Sequence, residues 1–108
     1  MDKELVKECY EAGEFTINER IYKMLPVPHA SALKAIGYAL RAENGTMMVG
    51  DSAWMEMEAH ITKFFSVDGS ILCKSPGHFE KFPEDYMTFV TYALGVIIYP
   101  FMRGIVTG

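Results

Sequence analysis

The residues able to do chemistry fall into a few small groups. Ser70, Cys73 and Ser75 lie in one short stretch before His78. A nucleophile needs a base beside it and a group to orient that base. The stretch has neither a Gly-x-Ser-x-Gly elbow nor a Cys-His signature, so polar loop residues are expected there and no triad. Glu56 and His60 stand at i and i+4, which places them on one face of a helix. They would supply two of the three or four ligands that a metal takes. The HExxH pattern is absent, and His29 and His78 are distant in sequence. Glu56, Glu58 and His60 are therefore expected as a solvated face, with no metal. Glu80, Glu84 and Asp85 could pair as acid and base. Glu84 and Asp85 directly follow Pro83, however, and two acids at the positive end of a helix account for them more simply. The glycines are dispersed, so there is no phosphate loop and no dinucleotide fingerprint. The expectation is a protein that is not an enzyme and holds no cofactor.

Composition points the same way. The chain has 108 residues, suited to a single domain over 1–108. Half of the residues are hydrophobic and 13% aromatic, enough for one compact core. Ten Lys and Arg are scattered among fourteen acids, for a net charge of −4. No basic stripe is available to neutralise phosphates, which argues against nucleic acid as a partner. Cys9 and Cys73 form no Cys-x-x-Cys and are expected as free thiols of a reducing compartment. The charged start, Met1-Asp2-Lys3-Glu4, lacks the apolar core of a signal peptide, so a cytoplasmic location is expected. The eight methionines suit either an irregular core or an adaptable binding face.

These groups sit on elements whose boundaries can be read. Asp2 to Ala12 reads as a helix with Leu5, Cys9 and Ala12 on one face, stopped by Gly13. Phe15-Thr16-Ile17 and Arg20-Ile21-Tyr22-Lys23 alternate on either side of Asn18-Glu19, a hairpin pattern. Pro26 and Pro28 end the strand. A helix from His29 to Glu43 follows, with Leu33, Ile36 and Leu40 at helical spacing and Asn44-Gly45 closing it. Asp51 or Ser52 can cap the next segment. Trp54, Met57, Ile61 and Phe64-Phe65 fit a helical period there, yet residues 51–66 also fit a strand. The length without Gly or Pro favours a helix. Asp68-Gly69 marks a turn and Ser75-Pro76-Gly77 a loop. Pro83 opens a last helix running to about Arg103, bent near its end by Pro100. The fold expected is mainly α: a small N-terminal β-hairpin followed by three helices packed as a compact bundle.

Tyr86 to Met102 contains no charged residue. Seventeen residues span about 26 Å, just short of a bilayer core of about 30 Å. Thr88, Thr91 and Pro100 argue against a membrane span. A helix apolar all round is normally enclosed on every side, which so small a domain does with difficulty. Part of this surface is therefore expected to meet a client protein or a second copy. Tyr86, Phe89, Val90, Leu94, Ile97, Ile98 and Phe101 are the expected protein-binding residues.

The order of elements carries a resemblance. The segment from Phe15 to Tyr22 leads through a Pro-rich junction into a helix. Trp54-Met-Glu-Met-Glu58, Val67-Asp-Gly69 and Pro83-Glu-Asp-Tyr86 follow. Over about residues 14–103 this resembles the tail assembly chaperones of long-tailed bacteriophages. The resemblance implies a small, mostly helical cytoplasmic protein without enzyme activity. It would bind a tape measure protein and keep its long apolar helices soluble during tail assembly. It lies in pattern, so no residue is carried over as a binding residue. A second, shorter resemblance covers Ala93 to Arg103, which is similar to the start of the first long helix of SecB-type export chaperones. That would make Met55 to Val67 a strand. A small phage-encoded inhibitor or adaptor that binds a host protein is the further alternative.

Overall fold

The structure, a computed structural model, describes residues 3–103. Helix α1 (Lys3–Ala12) ends at Gly13, whose φ of +72° provides the left-handed stop that a side chain would resist. Strands β1 (Glu14–Ile17) and β2 (Arg20–Met24) then form an antiparallel hairpin. Its turn residues, Asn18 and Glu19, both have positive φ, at 48° and 70°. That is the primed turn geometry whose twist suits a two-residue hairpin, here built without glycine. The Pro26–Pro28 junction delivers the chain to α2 (His29–Glu43).

Helix α3 (Ser52–Ile61) is capped by Asp51, whose carboxylate accepts from the backbone N–H of Trp54 and of Met48, each at 2.9 Å. These two bonds hold the Asp51 carboxyl below its usual range. A 3-10 turn, Thr62–Phe64, ends the helix. Strands β3 (Phe65–Val67) and β4 (Ser70–Ile71) follow, joined by Asp68-Gly69. A second 3-10 turn (Leu72–Lys74) leads to the short α4 (His78–Lys81). The 3-10 turn Pro83–Asp85 then opens α5 (Tyr86–Met102).

The four strands make one antiparallel sheet in the order β1-β2-β3-β4. Phe15 stands opposite Tyr22, and Tyr22 opposite Val67, while Met24 meets Phe65. Period-2 alternation therefore puts Phe15, Ile17, Tyr22, Phe65 and Val67 on one face, and all five are buried. Helix α5 packs against this core with Phe89, Val90, Ala93, Val96 and Ile97, while α1, α2 and α3 pack against α5. Trp54, Met57 and Ile61 of α3 complete the centre.

The fold differs from the expected hairpin and three-helix bundle. The hairpin is half of a four-stranded sheet, and four α-helices rather than three follow it among the described residues, the added one being α4. The architecture is a helical layer on one face of an antiparallel sheet. Strands of three and two residues, and a four-residue helix, are too short to leave a periodic trace, and that is why they escape a reading by pattern. The middle helix is also shorter than expected: Phe65 belongs to β3. Conversely, Ser52–Ile61 is helical, so the strand required by the SecB resemblance survives only at Phe65–Val67.

Two helix faces are rotated from their expected orientation. On α2 the buried residues are Ala32, Ala35 and Tyr38, whereas Leu33 and Leu40 are 49% and 53% exposed. Small alanines let α2 pack closely on its neighbours, α5 and α3, while the two leucines stay outside. On α1, Cys9 is buried and Val6 and Tyr10 pack on the core, with Leu5 and Ala12 outside.

Candidate functional site

Period-2 phasing along β2 has a chemical consequence. Tyr22 faces the core, so Arg20 faces inward too, opposite Ile17 at the end of the hairpin. It meets Asp85, the last residue before α5 and fully buried. Arg20 Nε donates to Asp85 Oδ2 at 2.6 Å and Nη2 to Oδ1 at 2.7 Å, a bidentate pair. Asn18 Nδ2 donates to Oδ1 at 2.8 Å, and the Tyr22 hydroxyl to Oδ2 at 2.5 Å. The guanidinium also reaches Glu84 at 3.0 Å and lies 3.8 Å from the centre of the Phe82 ring. One buried carboxylate thus takes four hydrogen bonds from three residues of the hairpin.

Protonation states follow from this geometry. Arg20 donation, helped by Tyr22 and Asn18, holds the Asp85 carboxyl well below the usual carboxylate range despite its burial. Burial and the adjacent Asp85 charge push the Tyr22 phenol up. Because its single proton goes to Asp85, the Tyr22 oxygen must accept from His78 Nε2, 2.8 Å away. Neutral His78 therefore carries its proton on Nε2. Burial lowers the His78 pKa, Arg20 and Lys81 lower it further, and Asp85 and Asp68 oppose them.

The other candidates do not assemble. Ser75 Oγ bonds the carbonyl of Ile71, and among the described residues no hydrogen bond joins the side chain of Ser70, Cys73 or Ser75 to the His78 ring. Cys73 is exposed and Cys9 buried, both as free thiols. Burial, and then Glu8, raises the Cys9 pKa. His60 is buried, not solvated as expected, and its Nε2 donates to the carbonyl of Ser31 at 2.9 Å. Glu56 stays exposed, so the i, i+4 pair points two ways. His29 is exposed, its ring 5.7 Å from that of Phe101. No group of three or more metal-ligating side chains occurs among the described residues.

Two clefts open on the surface of the described residues. The larger, about 660 Å³, lies between α1, the β2–α2 connection and the end of α5. Its walls include Tyr10, Met24, Val27, Ile97 and Phe101, and its polar side chains are those of Tyr10, Glu11 and His29. The smaller, about 430 Å³, is lined by Glu58, Pro76, Phe79, Glu80, Pro83 and Tyr86. Behind it Trp54 Nε1 donates to the Tyr86 hydroxyl at 2.8 Å, and that hydroxyl donates to Glu58 Oε1. Burial and the Glu58 bond push the Tyr86 phenol up to about 12.

The seven residues expected to bind protein are divided by the structure. Phe89, Val90 and Ile97 are buried in the core, so a face made of all seven would require the core to open. Leu94 and Ile98 are half-buried. Tyr86 lines the smaller cleft, while Phe101 and the edge of Ile97 line the larger. The Asn18-Arg20-Tyr22-Asp85 cluster has no short-range signal, because Asp85 lies 63 to 67 residues from its three partners and only the sheet register brings them together. Compared with protein families, characterised proteins and solved structures, the chain matches none.

Proposed function

We propose that this chain is a non-enzymatic, cytoplasmic protein-binding domain of the chaperone kind, whose client presents an apolar helical segment. The larger cleft carries this reading. It is open, walled mainly by apolar side chains from α2, α5 and the end of β2 with its connection to α2, and within the size range of ligand sites. It can take the apolar face of an inserted helix, the groove mode of peptide recognition. The saturation of Asp85 supports a non-catalytic role: a carboxylate that already accepts four hydrogen bonds in a buried ion pair is ill suited to take up a proton at neutral pH. The resemblance to tail assembly chaperones suggests a client of this type, the long apolar helices of a tape measure protein, and that pairing belongs to the proposal.

The test is a titration of the 15N-labelled protein with a synthetic amphipathic helix copied from a tape measure protein. Shifts should concentrate at Met24, Val27 and Phe101, and Val27→Lys should abolish them while leaving the thermal midpoint in place. Shifts confined to other surfaces, or an undiminished response in Val27→Lys, would refute the cleft as the client site.

A further inference from the structure

The smaller cleft is built differently from the larger. Its apolar lining is two aromatic rings, Phe79 and Tyr86, in edge-to-face contact at 5.2 Å, together with the rigid rings of Pro76 and Pro83. Two carboxylates join them from separate elements, Glu58 of α3 and Glu80 of α4. Neither forms a salt bridge with another of the described residues. Glu58 is half-buried and held in place, because the Trp54 indole orients the Tyr86 hydroxyl and that hydroxyl donates to the carboxylate. A hydroxyl proton satisfies one acceptor site of Glu58 and neutralises none of its charge.

We infer that this cleft binds an arginine side chain presented by a partner polypeptide. Charge complementarity selects a cation, since two carboxylates with no salt bridge among the described residues line a cleft of about 430 Å³. The aromatic rings favour that cation further through their π faces, where arginine is the commoner partner. The proline rings suit the aliphatic stem of a long basic side chain. Arginine is preferred over lysine because its planar guanidinium can stack on a ring and donate to two carboxylates at once. This site is separate from the apolar client cleft, and either can fail without the other.

The sole tryptophan is a built-in reporter, because its indole N–H is the first link of the chain that ends at Glu58. The probes are acetyl-Gly-Arg-Gly-amide, the same tripeptide with lysine, and the same tripeptide with citrulline, which keeps the shape of arginine without its charge. The arginine peptide should shift the Trp54 indole cross-peak saturably. The lysine peptide should bind more weakly, and the citrulline peptide should leave the peak in place. Glu58→Gln keeps an acceptor for Tyr86 and removes the charge, and should weaken arginine binding about tenfold. Glu80→Gln, at an exposed position, should weaken it in the same direction without touching the Trp54 chain. Equal shifts with citrulline, no saturable shift with arginine, or full affinity in both variants would overturn the assignment. Free arginine amide binding as tightly as the tripeptide would overturn the polypeptide as its source.

Discussion

Asp85 is a charged group with no exposure to solvent, and a charge so placed is stable only when it is paired and fully hydrogen-bonded. Its four donors come from a hairpin more than sixty residues earlier, so the carboxylate fastens the start of α5 to the sheet. Asp85→Ala should lower stability by about 3 kcal/mol, the lower end for breaking a buried pair because the Arg20 side chain can reach some water. Urea midpoints measure this, and a loss under about 1 kcal/mol would show that the pair is dispensable. The same cluster sets the acid response. The His78 pKa is lowered in the fold, so the unfolded chain takes up the proton first. Stability should therefore begin to fall as pH drops below about 6.5. The Asp85 pKa is lowered as well, so its contribution is complete above about pH 4 and is lost as pH falls through the range below. Two acid phases are expected in a series of urea midpoints against pH, and His78→Gln should remove the upper one alone.

Elements whose cause is local were legible in the sequence, while those caused by pairing were not. The Asp51 cap, the Gly13 stop and the Pro83 start each depend on a few neighbouring residues, and the structure has all three. The hairpin at Asn18-Glu19 was legible for the same reason. Its facing was not, because Ile21 and Tyr22 are equally able to point inward. Only pairing with Val67 of β3 commits Tyr22, and with it Arg20, to the core. The same limit hid the site, since no short-range signal links Asn18, Arg20 and Tyr22 to Asp85. On α2 the apolar period suggested an inward Leu33 and Leu40, but Ala32 and Ala35 make the contact. That rotation has a measurable consequence. Leu33→Gln and Leu40→Gln should each change stability by no more than about 0.5 kcal/mol. Ala35→Leu should destabilise by about 1–3 kcal/mol, because Ala35 is fully buried and the added volume must separate α2 from its neighbours. Thermal midpoints of the three variants decide it. The reverse ranking would return α2 to the orientation that hydrophobic spacing alone suggests.

At the scale of the molecule, one helix holds the layers together. The stretch Pro83–Met102 is long and apolar enough to cross a membrane by length and composition. Here it lies against the sheet and against α1, α2 and α3, with Phe89, Val90, Ala93, Val96 and Ile97 at the centre of the core. Withdrawing it into a bilayer would expose Phe15, Tyr22 and Phe65, whose rings lie around that of Phe89 at 5.3 to 6.1 Å. Phe89→Ala therefore tests this role directly. Loss of a fully buried phenylalanine costs about 3–5 kcal/mol, a large share of the total stability of about 5–15 kcal/mol for a domain. Because Phe89 touches the sheet and Trp54 sits in the same core, Trp54 fluorescence and far-ultraviolet circular dichroism should shift together, in one transition at lower urea. If α5 were instead an appendage destined for a lipid or for a client, the variant would leave the tryptophan transition where it was. The two arrangements thus predict opposite outcomes for one substitution, and the packing of the Phe89 ring among those of Phe15, Tyr22, Phe65 and Phe79 favours the cooperative one.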